Sequence, residues 1–198
     1  MEECKLAGRA GLGIGIVSGL VLCACLYLVS AASAGGPGPF RWLAPAPAPN
    51  GWKHISIPSG DAVLSYPPSL APIHADSTSV SVAKRDKSGT IHVYLNSTPQ
   101  QGTESLSNWT HYRISHNRIV SDAVHQDAAG VGLHLLGAKA SCVIDDYLSR
   151  VHVHHYREIA CLVQGRTKAS VIVAAALESD WTRAAPLLKR AISAYRAR

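Results

Sequence analysis

Beyond its N-terminal region, the sequence contains none of the short motifs that announce a common catalytic chemistry. It has no glycine-flanked serine of a nucleophile elbow, no HExxH pair, no phosphate-binding loop and no dinucleotide fingerprint. Gly11-Leu12-Gly13-Ile14-Gly15 mimics a glycine fingerprint, but it lies inside an apolar segment, where small residues serve helix packing. No internal repeat is present. No run of basic residues is interleaved with aromatics, which argues against nucleic acid as a partner despite a formal net charge of +6. The most extended absence is of charge itself: no Asp, Glu, Lys or Arg occurs from Ala10 to Ala34.

That uncharged stretch is long enough to cross a bilayer, since ~20 helical residues span the hydrocarbon core. It also lacks the polar face a soluble helix needs. Lys5 and Arg9 precede it and the next cation is Arg41, which favours an internal N-terminus and an external domain. Three fates are open. The segment is an uncleaved signal anchor, or a signal peptide cleaved after Ala34 in Ala32-Ser33-Ala34, or part of a lipoprotein acylated at Cys25 within Leu22-Cys23-Ala24-Cys25. Its length exceeds a usual signal-peptide core, which favours the anchor. The organisation expected is a short tail over 1–9, the transmembrane or signal segment over 10–34, a Pro/Gly/Ala-rich spacer over 35–50 and a globular extracytoplasmic domain over 51–198. The alternating Ala-Pro of 44–49 predicts an extended, solvated polyproline spacer that holds the domain off the membrane.

Within 51–198, short strands are expected at Trp52 to Ile57 and Ala62 to Ser65. Ser77 to Ala83 and Thr90 to Leu95 form a hairpin about an Asp86 to Gly89 turn. Glu104 to Ile119 reads as a helix with Thr103 as N-cap and with Leu106, Trp109, Tyr112, Arg113 and His116 along one face. Val124 to Gln126 and Val131 to Leu136 are weaker strands. Ala140 to Leu148, His155 to Val163 and Ala169 to Ala176 are strong ones. A last helix starts near Ser179, its proposed cap, and carries an apolar stripe through Leu188 and Ile192. Strands grouped together with two separate helices predict an α+β fold: a twisted antiparallel sheet flanked by two main helices.

Only two of the five cysteines lie in the domain. Cys142 and Cys161 fall on consecutive strands joined by a reversal at 151–154, which sets them opposite each other and predicts a disulfide outside the cytoplasm. The same register places Asp145 against Glu158 and Asp146 against Arg157, the latter as a cross-strand ion pair. Asp145 and Glu158, if buried together, have the residue types for acid–base chemistry. His152-Val153-His154-His155 is the densest of the histidine clusters. On a strand His152 and His154 point the same way and could share a metal, with Glu158 or Asp145 as third ligand, although no diagnostic spacing supports it. No cofactor is implied. Asn96-Ser97-Thr98 and Asn108-Trp109-Thr110 match glycosylation sequons, which matter only in a eukaryotic secretory pathway.

These residues resemble an uncharacterised group of actinobacterial secreted and membrane-anchored proteins. The resemblance runs through Leu64-Ser65-Tyr66-Pro67, the stretch from Tyr94 to Gly102, Trp109, His116-Asn117, Ser141 to Tyr147 and Tyr156 to Cys161. The element order is similar to the PsbP-like sandwich of the mycobacterial lipoprotein LpqN group. That likeness implies binding or scaffolding rather than catalysis, and it supplies no site residues. The expectation is a membrane-tethered, non-catalytic binding or accessory module that meets the cell membrane through its N-terminal segment and recognises a protein, lipid or envelope component. The alternatives are an extracytoplasmic hydrolase or metal-dependent enzyme using Asp145 and Glu158 or His152 to His155, and a purely structural tethered domain.

Overall fold

Seven strands pair into one antiparallel sheet in the computed structural model, which describes residues 38–74 and 76–198. The segment over 10–34, the cleavage point after Ala34 and the acylation at Cys25 lie outside these residues. Among the described residues no helix is long and apolar enough to cross a membrane.

In chain order the elements are β1 (Lys53–Ser56), β2 (Ala62–Tyr66), β3 (Ala71–Ile73), β4 (Val80–Arg85), β5 (Ile91–Pro99), α1 (Trp109–Val120), β6 (Ser121–Leu135), β7 (Ala138–Ser149), β8 (His155–Gln164), β9 (Ala169–Leu177), α2 (Trp181–Ser193) and β10 (Arg196–Ala197). The large sheet has the order β3-β4-β5-β9-β8-β7-β6, and a small one has the order β1-β2-β10. Strand side chains alternate between faces, so each face of the large sheet is covered by a different layer. One face carries Leu95, Ile159, Cys161 and Ile172, and packs on Leu64 of the small sheet and on Leu188 and Ile192 of α2. Full burial of each such Leu or Ile contributes ~1.5–3 kcal/mol. Tyr195 closes this layer, its hydroxyl 2.7 Å from Ser97 Oγ and 2.9 Å from Ser170 Oγ. The other face carries Val143, Ala160, Leu162, Val171 and Val173 beneath Trp109 and Ile114 of α1.

The expected α+β class, the two helices and the antiparallel pairing are all present. Three local expectations are corrected. Helix α1 starts at Trp109 rather than Glu104, because Glu104 is drawn inward and its Oε1 accepts the Gln101 N–H at 2.8 Å. Thr103 therefore caps nothing. Ser179 caps nothing either: a 3-10 turn over Glu178–Asp180 precedes α2, and no side chain caps that helix. The two weak strands are one bulged strand, β6, paired along β7.

The spacer departs most from expectation. Phe40 and Leu43 are 0 % and 1 % exposed, inside the main core. Ala46 N–H donates to Ser193 O at 3.1 Å, Arg190 Nη2 donates to Pro47 O at 3.1 Å, and Lys189 sits 5.5 Å over the Trp42 ring. Residues 40–47 are a docked strap rather than a free spacer: three apolar side chains in Phe40-Arg41-Trp42-Leu43 gain more by burial than a solvated polyproline segment retains.

Cys142 and Cys161 are Cα partners in the β7–β8 ladder and form a disulfide across 19 residues. Replacing both by alanine is expected to destabilise the domain by ~3 kcal/mol, through the unfolded chain's regained freedom. Urea melts of oxidised wild type and variant measure this, and equal midpoints would refute it.

Candidate functional site

Helix α1 is twelve residues long and covers only part of its sheet face. Trp109, Arg113 and Asn117 recur every four residues and so form one stripe toward the sheet. Trp109 Nε1 donates to Ala160 O at 2.9 Å. One turn on, Arg113 grips Glu158 with two donors, Nε to Oε1 at 2.7 Å and Nη2 to Oε2 at 2.9 Å. Another turn on, Asn117 Nδ2 reaches Asp145 Oδ2 at 2.7 Å and Glu158 Oε1 at 3.2 Å. Asp145 and Glu158 are 0 % exposed and are ladder partners, as their spacing predicted.

Two carboxyls share one guanidinium here, so they cannot both ionise cheaply. Burial opposes the charge of Glu158, but Arg113 outweighs it and holds Glu158 below its ordinary value. Burial, reinforced by the Glu158 charge, pushes Asp145 up to about 8. Asp145 Oδ1 is buried without a partner, in keeping with a carboxyl that stays protonated at neutral pH. Burial and Glu158 also push Tyr147 up. The pair is brought together, but toward a helix that fastens it. It therefore acts as a polar lock between α1 and the sheet, with no open side where a substrate could meet both groups.

The same sheet row continues from the lock into open space, in the order Asp145, Glu158, Ala175, Tyr94, Ala83. Where α1 ends its cover, a groove of about 530 Å³ lies on the face. Its floor includes Tyr94, Tyr147, Tyr156 and Ala175, and its two lips come from the β4–β5 turn and the β7–β8 loop. Tyr147 and Tyr156 stack at 5.9 Å, Tyr156 Oη donates to Ile91 O at 2.9 Å, and Tyr94 Oη lies 3.2 Å from Ser81 Oγ. His152 and His154 both line the groove. They lie in the reversal expected at 151–154 and not on the strand that the shared-metal reading required: residues 150–154 form a loop in which His152 and Val153 take φ of 65° and 43°. Glu158 and Asp145 are fastened to Arg113 and Asn117 of α1, and among the described residues no third metal ligand joins the two histidines.

Among the described residues, the ligand atoms close enough to hold a metal belong instead to His125, Asp127 and Asp146. Arg157 pairs with Asp127 there and lies 5.5 Å over Trp181, so a side-chain cation already balances one of the two carboxylates. The expected Asp146–Arg157 pair is thus replaced. The two residues are Cα partners, but the guanidinium reaches across to β6. Elsewhere His92 is clasped by Asp180 at 2.6 Å and Asp86 at 3.2 Å, which raise its pKa in that order and tie the β4–β5 hairpin to the start of α2. The sequon asparagines are both engaged internally, Asn96 with Ser81 Oγ and Asn108 with Ser105 N.

No protein-family model matches the chain, and no curated protein matches it. Solved structures do. Cyanobacterial PsbP (CyanoP) from Synechocystis sp. PCC 6803 is 12% identical, with a TM-score of 0.54 over 76% of this chain and 95% of that one. A Pseudomonas aeruginosa protein of unknown function is 11% identical, with a TM-score of 0.47 over 74% and 97%. Mycobacterium tuberculosis LpqN, described as involved in cell envelope biogenesis, is 11% identical, with a TM-score of 0.37 over 75% and 79%. At the level of the CyanoP likeness, the fold of this chain is PsbP-like.

Proposed function

We propose that the chain is a membrane-tethered, extracytoplasmic binding module whose ligand site is the tyrosine-floored groove beside α1. The observation that carries this reading is the part of the sheet face that α1 leaves uncovered, where three tyrosines line a cavity of small-molecule size. The disulfide fits an oxidising compartment, and the uncharged segment over 10–34 fits a tether that concentrates the domain near the membrane. Binding is favoured over turnover because the buried carboxyls are fastened inward by Arg113 and Asn117 instead of facing the groove.

The test is site-resolved photolabelling. The full chain, held in phosphatidylcholine discs, is irradiated with an uncharged decyl alcohol carrying a terminal diazirine, and adducts are mapped by mass spectrometry. Adducts are expected at Tyr94, Tyr147 or Tyr156, and Ile73→Trp, which fills the groove from its half-buried edge, is expected to remove most of them. Labelling scattered over the surface, or unchanged in Ile73→Trp, would count against the groove as a ligand site.

A further inference from the structure

The groove's lining includes Arg85, His152 and His154 and no carboxylate. Arg85 is exposed on the β4 lip and belongs to no ion pair among the described residues. The acidic residues of the neighbouring turns are occupied locally: Asp86 accepts from Ser88 and Thr90, and Asp76 accepts from Thr78 and Ser79. Two hydroxyl residues, Thr90 and Ser149, also line the groove. A guanidinium and two imidazoles offer donors to an acidic group, while the Ser149 and Thr90 hydroxyls are engaged within their own turns, and a floor of stacked tyrosines offers apolar area to a chain.

The β7–β8 loop is built to keep its donors there. Left-handed backbone is disfavoured for a β-branched residue such as Val153, and such strain persists only where its surroundings impose it. Here Ser149 imposes it: its N–H donates to His154 O at 2.9 Å, and its Oγ donates to Val151 O at 2.9 Å and accepts the His154 N–H at 3.2 Å. The tight loop that results sets both His152 and His154 on the groove.

We propose, resting on the binding reading above, that the groove takes a single-chain anionic amphiphile. Its apolar chain lies along Tyr94, Tyr147 and Tyr156, and its acidic head lies at Arg85, His152 and His154. A cavity of about 530 Å³ suits one small molecule rather than a bilayer surface.

The experiment compares diazirine-tagged decanoate with the matching alcohol at equal concentration, on the full chain in phosphatidylcholine discs. The acid is expected to label the groove about tenfold more strongly, since a charge-assisted contact is worth roughly a decade in affinity. The triple variant Arg85→Gln, His152→Gln, His154→Gln is expected to bring the acid down to the alcohol's level while leaving the alcohol's labelling as it was, which also reports an intact floor. Untagged decanoate should displace the label. Equal labelling by acid and alcohol in wild type would overturn the anionic assignment and leave the groove reading standing. Absence of groove adducts from either probe would overturn both. Acid labelling that appears only when phosphatidylglycerol is added to the discs, and that decanoate does not displace, would overturn the single-chain assignment in favour of a membrane surface.

Discussion

Arg113→Leu is expected to destabilise the domain by ~3–5 kcal/mol, because it leaves the buried Glu158 carboxylate with no counter-charge. The guanidinium supplies both of the strong donors that Glu158 receives, and Asn117 alone does not replace them. The size of the effect reflects an abandoned charge rather than the net worth of the ion pair. Arg113→Leu combined with Glu158→Gln should therefore recover more than half of the loss, as the remaining groups are neutral and can hydrogen-bond with Asn117. Asp145→Asn tests the same lock from its other side. Burial and Glu158 raise the folded-state pKa of Asp145 to about 8 from an ordinary 3.8. The folded state then holds a proton that the unfolded chain has released across that interval. Its contribution is fully present below about 3.8 and is lost as pH rises through about 8. Asparagine carries no such penalty, so the variant should gain on wild type with rising pH, by up to ~1.4 kcal/mol per unit. Urea melts from pH 4 to pH 8 measure the difference. A variant that is weaker than wild type by the same amount at every pH would show that Asp145 is not held protonated.

Much of this lock was legible in the sequence. The reversal at 151–154 fixes the β7–β8 register, and from it Cys142 meets Cys161 and Asp145 meets Glu158. The helical spacing also put Trp109 and Arg113 on one face. What could not be read is which strand lies beneath that face, since Arg113 and Glu158 are 45 residues apart and nothing local joins them. Bulges hid β6 in a related way. A strand that shifts register three times does not keep a period of two, so it reads as fragments, and the parity that carries Asp127 to Arg157 is lost. The groove had no sequence signal of its own. It arises because α1 is shorter than the face it covers, a property of the assembled layers, and the tyrosines that floor it come from β5, β7 and β8. The strap did have a signal. Phe40, Trp42 and Leu43 are bulky apolar residues within a segment whose prolines and alanines alone would suggest a spacer.

Phe40→Ala is expected to cost ~3–5 kcal/mol, as for other large buried aromatics, and to release the strap. A residue from a passive linker would cost nothing measurable, so this substitution separates the two descriptions. Gly130 on β6 explains why the ring fits. A Cβ built there would stand 2.8 Å from Phe40 Cδ2 and 3.0 Å from Leu133 Cδ1, closer than packed carbons approach. Gly130→Ala should therefore cost ~1–3 kcal/mol through overpacking against the ring. With Phe40 already replaced by alanine, the same change at Gly130 loses its contacts with the ring, and its own cost should fall to what the Leu133 contact still imposes. That non-additivity is the signature of direct contact between the two positions. Limited proteolysis gives a second readout. Wild type should resist cleavage between residues 40 and 47, where strap hydrogen bonds to Ser193 and Arg190 hold the backbone, while Phe40→Ala should be cut there. Additive costs in the double variant, together with equal cleavage of wild type and Phe40→Ala, would mean that the strap does not depend on Phe40 packing against Gly130.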